Sequence, residues 1–134
     1  GLAIAVPAGA QTLLIGNKGE DTVSFVVFRT GNECARVPTG KAPHEIALSP
    51  DGRRAVTSNL LSGTVNLFDV ANRQPLRGIR VSGSPAAMQV TLAFADEGRS
   101  VLVAETAHNT VAQVDLDIPI LKTSKLCVFG PGTP

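Results

Sequence analysis

The sequence predicts an all-β fold: a β-propeller of about three four-stranded antiparallel blades. Short segments rich in Val, Ile, Leu and Phe recur along the 134 residues. They are bounded by Gly, Pro, Asn and Asp, which is typical of strands joined by turns. The pattern repeats every 42 to 46 residues with four strands per repeat, the length of a propeller blade. A β-sandwich is the structural alternative, but it does not require turn residues to recur at blade length.

Three markers define the repeat. A Thr-Val pair begins at Thr22, Thr64 and Thr110, which are 42 and 46 residues apart. Pro-Asp-Gly-Arg at 50–53 recurs as Asp-Glu-Gly-Arg at 96–99. A loop that joins Gly to Pro, first seen at 40–43, is the third marker. Together they divide the chain into blade units of approximately 1–43, 44–85 and 86–134.

The second unit is the clearest of the three. Its predicted strands are A at 45–48, B at 55–58, C at 64–70 and D at 76–81. The residues between A and B, Ser-Pro-Asp-Gly, predict a tight turn because Pro fixes φ and Gly accepts a positive φ. Strand C mixes alternating and continuous apolar character, as expected for a sheet that is covered on both faces. Asp69 and Asp115 should close the C strands of their units by accepting backbone N–H bonds in the following turns.

Residues 43–59 read Pro-His-Glu-Ile-Ala-Leu-Ser-Pro-Asp-Gly-Arg-Arg-Ala-Val-Thr-Ser-Asn. This segment resembles the YVTN-type β-propeller repeat, and the resemblance extends over nearly the whole chain. It weakens after Ala86, and beyond Asp117 only residues 125–130 resemble a last strand. The resemblance implies kinship with lactonase-like propellers, quinoprotein amine dehydrogenase heavy chains and surface-layer or other extracytoplasmic propellers. It therefore implies a periplasmic or secreted location, but its turn residues specify no reaction.

In this topology the B–C loops and the loop that precedes strand A lie at one end of the blades, where propeller sites usually collect. His44 is the leading candidate there, because a histidine can bind a ligand or transfer a proton near neutral pH. The alternative is that His44 is simply the residue that this repeat carries after Pro; the aligned third-unit residue is Ala86. Catalytic residues are not identified. The candidate binding residues at this end are His44, Lys41, Asn17, Asn59, Glu105 and His108.

No metal site and no cofactor are predicted. His44 and His108 come from different repeat positions, whereas a zinc or copper site normally needs three or more converging ligands. Gly40-Lys41 is followed by Ala42, so the phosphate-binding loop motif is absent. The nucleophile-elbow, zinc-protease and dinucleotide-binding motifs are absent as well.

The charge pattern argues against nucleic acid and membranes as partners. Twelve Lys and Arg against eleven Asp and Glu give a net charge of +1, without blocks of like charge. No uncharged apolar run is long enough to insert into a bilayer as a helix. Three arginines after hairpin turns are expected to be solvated, and three around strand D of the second unit are expected to protect an exposed edge. These are Arg53, Arg54 and Arg99, and then Arg73, Arg77 and Arg80.

Cys34 and Cys127 fall near the D strands of the first and third units. Because a whole blade separates those strands, the two sulfur atoms should lie too far apart for a disulfide. We therefore expect two unpaired thiols.

Two functions remain open at this stage. The first is a scaffold or binding segment that presents loops to a protein, glycan or small-molecule partner, in which case the segment alone is not an enzyme. The alternative is part of a propeller enzyme, lactonase-like or similar to a quinoprotein amine dehydrogenase heavy chain, with His44 contributing. Since propellers close with about four to eight blades, the expected partners also include the remaining blades of a parent chain or a second copy.

Overall fold

A computed structural model describes residues 2–5, 12–81, 89–117 and 123–128 of the chain. Within these residues, twelve strands form three four-stranded antiparallel sheets, each made of four consecutive strands. The prediction of an all-β fold made of propeller blades is therefore confirmed. No helix in these ranges is long and apolar enough to cross a membrane.

Every sheet contains its strands in chain order, so each is an up-and-down meander. The first sheet contains β1 (Leu2–Ala5), β2 (Thr12–Asn17), β3 (Thr22–Val27) and β4 (Glu33–Pro38). The second contains β5 (Pro43–Leu48), β6 (Arg54–Asn59), β7 (Thr64–Asp69) and β8 (Gln74–Arg80). The third contains β9 (Gln89–Ala95), β10 (Ser100–Glu105), β11 (Thr110–Asp115) and β12 (Thr123–Val128), with short 3-10 helices at Asp96–Gly98 and Thr106–His108.

The observed strands differ from the predicted ones mainly at their ends. β5 begins two residues before the predicted strand A, because Pro43 pairs with Asn59 across a register shift. β12 covers part of the predicted last strand at 125–130, and residues 118–122 lie outside the described ranges. Strand ends are set by pairing with the neighbouring strand, which the local sequence does not reveal.

The sheets pack face to face, with the first strands β1, β5 and β9 next to one another. Between the first and second sheets the rings of Phe25 and Phe68 meet edge-to-face, with centroids 6.3 Å apart. Between the second and third sheets the core is aliphatic and includes Val56, Leu67, Val101 and Val103. The last strands β4 and β8 are largely exposed, whereas the middle strands of these two sheets, β2, β3, β6 and β7, contain more buried residues.

The Ser-Pro-Asp-Gly segment forms the predicted turn between β5 and β6. Gly52 has φ of 72°, a conformation that favours glycine. Asp51 Oδ1 accepts hydrogen bonds from Ser49 Oγ at 2.6 Å and from Arg53 N at 2.9 Å. These two bonds, that of Ser49 above all, hold the pKa of the Asp51 carboxyl below its ordinary value.

The expected aspartate caps are also present. Asn72 N donates to Asp69 Oδ1 at 3.1 Å, and Asp117 N donates to Asp115 Oδ1 at 2.9 Å. The bonds from Asn72 lower the pKa of the Asp69 carboxyl. Both aspartates therefore close their strands as the sequence predicted.

Two arginines bind across the junction of the second and third sheets, which corrects two predictions. Arg54 was expected to be solvated, but it donates to Asp117 Oδ1 at 3.1 Å and to the Gly98 carbonyl at 2.5 Å. Arg77 was expected to protect an edge, but its Nη2 donates to the Leu116 carbonyl at 2.9 Å. Face-to-face packing brings the turns of adjacent sheets within reach of these long side chains.

Cys34 lies on the exposed strand β4 and is a free thiol, as predicted. Its Sγ donates to the Phe25 carbonyl oxygen at 3.1 Å. The prediction for Cys127 concerns a side chain outside the described part of the structure.

Candidate functional site

The turns after β2, β6 and β10 lie at one end of the sheets, together with the connecting loop 39–42. We call this end the loop face. Thr39 N donates to the Asp21 carbonyl at 2.9 Å and Ala42 N donates to Asp21 Oδ1 at 2.8 Å. Leu60 N donates in turn to the Ala42 carbonyl at 2.9 Å. The loop is therefore bonded to the β2–β3 turn of the first sheet and to the β6–β7 turn of the second.

Two of the predicted site residues, Asn17 and Asn59, hold hairpins of the loop face closed. They end β2 and β6 at equivalent positions, and each Nδ2 donates two hydrogen bonds within its own hairpin. The acceptors are Thr22 Oγ1 at 3.1 Å and Ser24 Oγ at 2.8 Å in the first hairpin, and Thr64 Oγ1 at 2.9 Å and Asn66 Oδ1 at 2.7 Å in the second. Asn59 is fully buried, whereas Asn17 is half-buried. Both amide nitrogens are thus bonded within the protein, whereas the Asn59 Oδ1 is buried without a hydrogen-bond partner among the described residues.

The third hairpin has a carboxylate where the first two have an amide. Glu105 ends β10 at the position equivalent to Asn59, and the residue is only 5% exposed. Its Oε2 lies 3.4 Å from His108 Nδ1, the last residue of the 3-10 turn. The structure therefore brings two of the predicted site residues, Glu105 and His108, into contact.

A small hollow lies beside this pair. It has a volume of about 180 Å³ and is lined by Ala104, Glu105, Thr106, Asn109, Thr110 and Val111. A carboxylate accepts hydrogen bonds only, so Glu105 favours ligand groups that carry N–H or O–H. Among the residues that the structure describes, no three potential metal-ligating side chains come together.

Lys41 and His44 belong to the second blade of the loop face. Lys41 N donates to Ser62 Oγ at 3.0 Å, which fixes the backbone, and the residue itself is exposed. His44 is the second residue of β5 and is also exposed. These two residues therefore present a charged and a titratable side chain next to the β6–β7 turn.

Sequence reasoning missed the polar residues that surround Glu105, such as Thr106 and Asn109. The available signal was the change from Asn to Glu at the repeat position of Asn17 and Asn59. The amides of Asn17 and Asn59 donate hydrogen bonds within their hairpins, whereas a carboxylate can only accept them. The change from Asn to Glu therefore indicates that the side chains around this position differ in the third hairpin.

Comparison with known proteins agrees with this architecture. A family model described as a YNCE-like beta-propeller matches residues 2–93. A search of curated proteins found no significant sequence match.

Solved structures also show the same fold. Hydrazine synthase of Kuenenia stuttgartiensis superposes with a TM-score of 0.77 at 19% identity, over 92% of this chain and 36% of that one. A putative 6-phosphogluconolactonase from Bacteroides uniformis superposes with a TM-score of 0.73 at 15% identity, over 93% of this chain and 39% of that one. The dihydro-heme d1 dehydrogenase NirN, in complex with DHE, superposes with a TM-score of 0.67 at 25% identity, over 83% of this chain and 24% of that one. The chain thus spans well under half the length of each of these proteins.

Proposed function

Because the chain belongs to the YNCE-like β-propeller family, we propose that it is part of a propeller whose loop face binds a protein, glycan or small-molecule partner. The supporting observation is the bonding of loop 39–42 to both neighbouring hairpins. A backbone fixed at several points presents its exposed side chains without a large ordering cost on binding. Leu61, 52% exposed, stands beside Lys41 and adds an apolar contact to this surface.

The proposal includes further blades. The outward face of the first sheet carries Ile4, which is 56% exposed, together with half-buried Leu13, Ile15 and Val26. An apolar sheet face of this kind is normally covered in a closed propeller. The covering blades come from the parent chain or from a second copy of this chain. A periplasmic or secreted location is part of the proposal and rests on the family resemblance.

A binding panel tests the proposal on the full protein that contains this chain. Immobilised glycans and small molecules are screened against the wild type and against a variant carrying Lys41→Glu and Leu61→Asp. The matched control is Arg53→Glu, an exposed substitution at the opposite end. We expect binding that the loop-face variant loses and the control keeps. Equal loss in both variants would contradict the proposal, and no binding by the wild type would reject its glycan and small-molecule forms.

The contact between Glu105 and His108 supports a second candidate function, part of a propeller hydrolase. A buried carboxylate that touches an imidazole can orient it for proton transfer. Hydrolysis of a lactone panel by the full protein is the test, with Glu105→Gln and His108→Gln as variants and His44→Gln as the comparison. Turnover that Glu105→Gln abolishes at unchanged melting temperature favours the enzyme. Absence of turnover in the wild type removes this candidate.

A further inference from the structure

We propose that the third hairpin of the loop face binds a small primary ammonium ligand between the Glu105 carboxylate and Thr110 Oγ1. The site is the hollow of about 180 Å³ beside the β10–β11 turn, which both residues line. Sites for drug-sized ligands measure roughly 300–1,000 Å³, so this hollow fits a ligand of only a few heavy atoms. The inference rests on the binding role proposed above for the loop face and names a ligand class for it.

In the first two hairpins, an amide N–H group joins the two strands next to the turn. Asn17 Nδ2 donates to Thr22 Oγ1 at 3.1 Å, and Asn59 Nδ2 donates to Thr64 Oγ1 at 2.9 Å. Each threonine is the first residue of its strand and pairs directly with its asparagine. The threonine oxygen at this position of the repeat therefore acts as a hydrogen-bond acceptor.

The third hairpin keeps the threonine but lacks the donor. Thr110 begins β11 and pairs directly with Glu105, and both residues are 5% exposed. A carboxylate accepts hydrogen bonds only, so Glu105 does not donate to the threonine oxygen as the asparagines do. Within the described part of the chain, no residue donates to Thr110 Oγ1. Two acceptors therefore lie on directly paired residues with no donor between them.

Strand β11 does not supply the missing donor. Two residues beyond the threonine, the first two hairpins carry Ser24 and Asn66, whose side-chain oxygens accept the second bond of each asparagine. The equivalent residue of the third hairpin is Ala112, which is buried and has no polar side-chain atom. The polar groups at this place in the third hairpin are therefore the carboxylate and the threonine hydroxyl.

The Glu105 carboxylate is only weakly compensated by its surroundings. A buried charge is costly unless it is paired and hydrogen-bonded. The polar partner of this carboxylate within the described ranges is His108, whose Nδ1 lies 3.4 Å from Oε2. Close charge-assisted hydrogen bonds measure about 2.7–2.9 Å, and the His108 side chain is 41% exposed, so water competes for it. None of the residues that line the hollow is basic. The hollow therefore favours a cation from solution.

A primary ammonium group meets these requirements. It carries one positive charge and three N–H donors, so it can donate to the carboxylate and to Thr110 Oγ1 together. A neutral alcohol has one donor and can serve only one of these oxygens, and an anion is repelled by Glu105. Ala104 and Val111 line the same hollow with apolar groups that suit a short alkyl chain. The ligand class is therefore a short alkylammonium ion.

Titration of the ¹⁵N-labelled chain with ethylammonium chloride tests the proposal. Tetramethylammonium chloride keeps the ionic strength constant, because this ion carries the charge but has no N–H. We expect saturable shifts of the backbone amides of residues 105–111, with a dissociation constant of about 1 mM, near the limit for a ligand of about three heavy atoms. Ethanol, which lacks the charge, and potassium chloride, which lacks the N–H donors, should cause no saturable shift.

Substitutions at the two oxygen-bearing residues test whether they form the site. Glu105→Gln removes the charge, and Thr110→Val removes the oxygen but keeps the shape, so each should weaken binding about tenfold. Glu105→Asn installs the side chain of the other two hairpins. It should keep the melting temperature and lose binding, because its amide donates to Thr110. Glu97→Gln, an exposed carboxyl at the opposite end of the sheets, is the matched control and should bind as the wild type does.

Several outcomes would overturn the ammonium site. They are saturation of the same signals by potassium or ethanol, equal weakening by Glu97→Gln, or unchanged binding in Glu105→Gln. The absence of a saturable shift up to about 100 mM ethylammonium, about a hundredfold above the expected dissociation constant, would do the same. If one of the two Glu105 variants loses its dispersed spectrum, the other decides. Failure of ethylammonium to bind while the loop-face panel still gives ligands would reject this site alone and leave the proposed function standing.

Discussion

The backbone N–H of Gly40 donates to Oδ1 of Asn66 at 2.9 Å and so joins the connecting loop to strand β7. The contact is close enough to exclude a side chain at position 40 of the loop. A Cβ at Gly40 would lie 2.5 Å from both Ser62 Oγ and Thr64 Oγ1. The loop between the first two blades is thus shaped by the hairpin beneath it, and the exposed side chains of the loop are positioned by that contact.

Gly40 lies too close to the hairpin to admit a methyl group without movement of the hairpin. Gly40→Ala should lower the free energy of unfolding by about 1–3 kcal/mol, because the hairpin must move to admit the methyl group. Urea denaturation of the chain measures the loss. Gly19→Ala is the control, since nothing lies within 4 Å of its added Cβ, and it should change stability by less than about 0.5 kcal/mol. Equal effects of the two substitutions would show that the loop does not rest on the hairpin as described.

The two hairpin amides should differ in their energetic importance. Asn59→Ala removes two hydrogen bonds in a fully buried position and should destabilise the protein by about 2–3 kcal/mol. Asn17→Ala removes the equivalent pair at a half-buried position, where water can replace the lost donor, so its cost should be about 1 kcal/mol. Thermal unfolding followed by circular dichroism compares them. A larger loss of stability from Asn17→Ala than from Asn59→Ala would contradict the finding that Asn59 is the more deeply buried of the two.

Arg54 should contribute to the packing of the second sheet against the third. Arg54→Met removes the bonds to Asp117 and Gly98 but keeps an apolar stem, and we expect a loss of about 1–2 kcal/mol. Arg53→Met changes the neighbouring exposed arginine and should be nearly neutral. The midpoints of urea unfolding of the two variants provide the comparison. If Arg54→Met left the midpoint unchanged, the hydrogen bonds of Arg54 would contribute nothing to the packing of the two sheets.

Acid should destabilise the protein through particular carboxyl groups. The hydrogen bond from Arg36 holds the pKa of Glu33 below its ordinary 4.5, and the Ser49 bond holds that of Asp51 below its ordinary 3.8. A lowered pKa in the folded state gives stability that is complete above the ordinary value and is lost as pH falls through the folded value. Unfolding midpoints should therefore decline as the pH falls below about 4.5.

Substitutions at the two carboxyl groups test whether Glu33 and Asp51 cause this loss of stability in acid. Glu33→Gln and Asp51→Asn should each flatten the decline, since the amides do not titrate. Glu97→Gln changes an exposed carboxyl outside these hydrogen-bond networks and should leave the decline as in the wild type. A wild-type midpoint that stays constant over the acid range would contradict the assignment.

The sequence predicted those parts of the structure that depend on local chemistry. The turn at Gly52 and the aspartate cap at Asp69 follow from residues within a few positions of each other, so a single repeat reveals them. The bridge from Arg54 to Gly98 could not be predicted, because it depends on how two blades pack. Glu105 and His108 were both predicted at the loop face, but their contact depends on the 3-10 turn at Thr106–His108, which the equivalent turns after β2 and β6 do not form.

Mapping the backbone amide shifts caused by a ligand from the binding panel tests the central claim most directly, because it locates the bound ligand on the fold. If the loop face is the binding surface, the amides of residues 39–42, 60–62 and 105–109 should shift with saturation. The amides of residues 50–53 and 96–99, at the opposite end of the sheets, should stay in place. Saturable shifts confined to residues 50–53 and 96–99 would contradict the account.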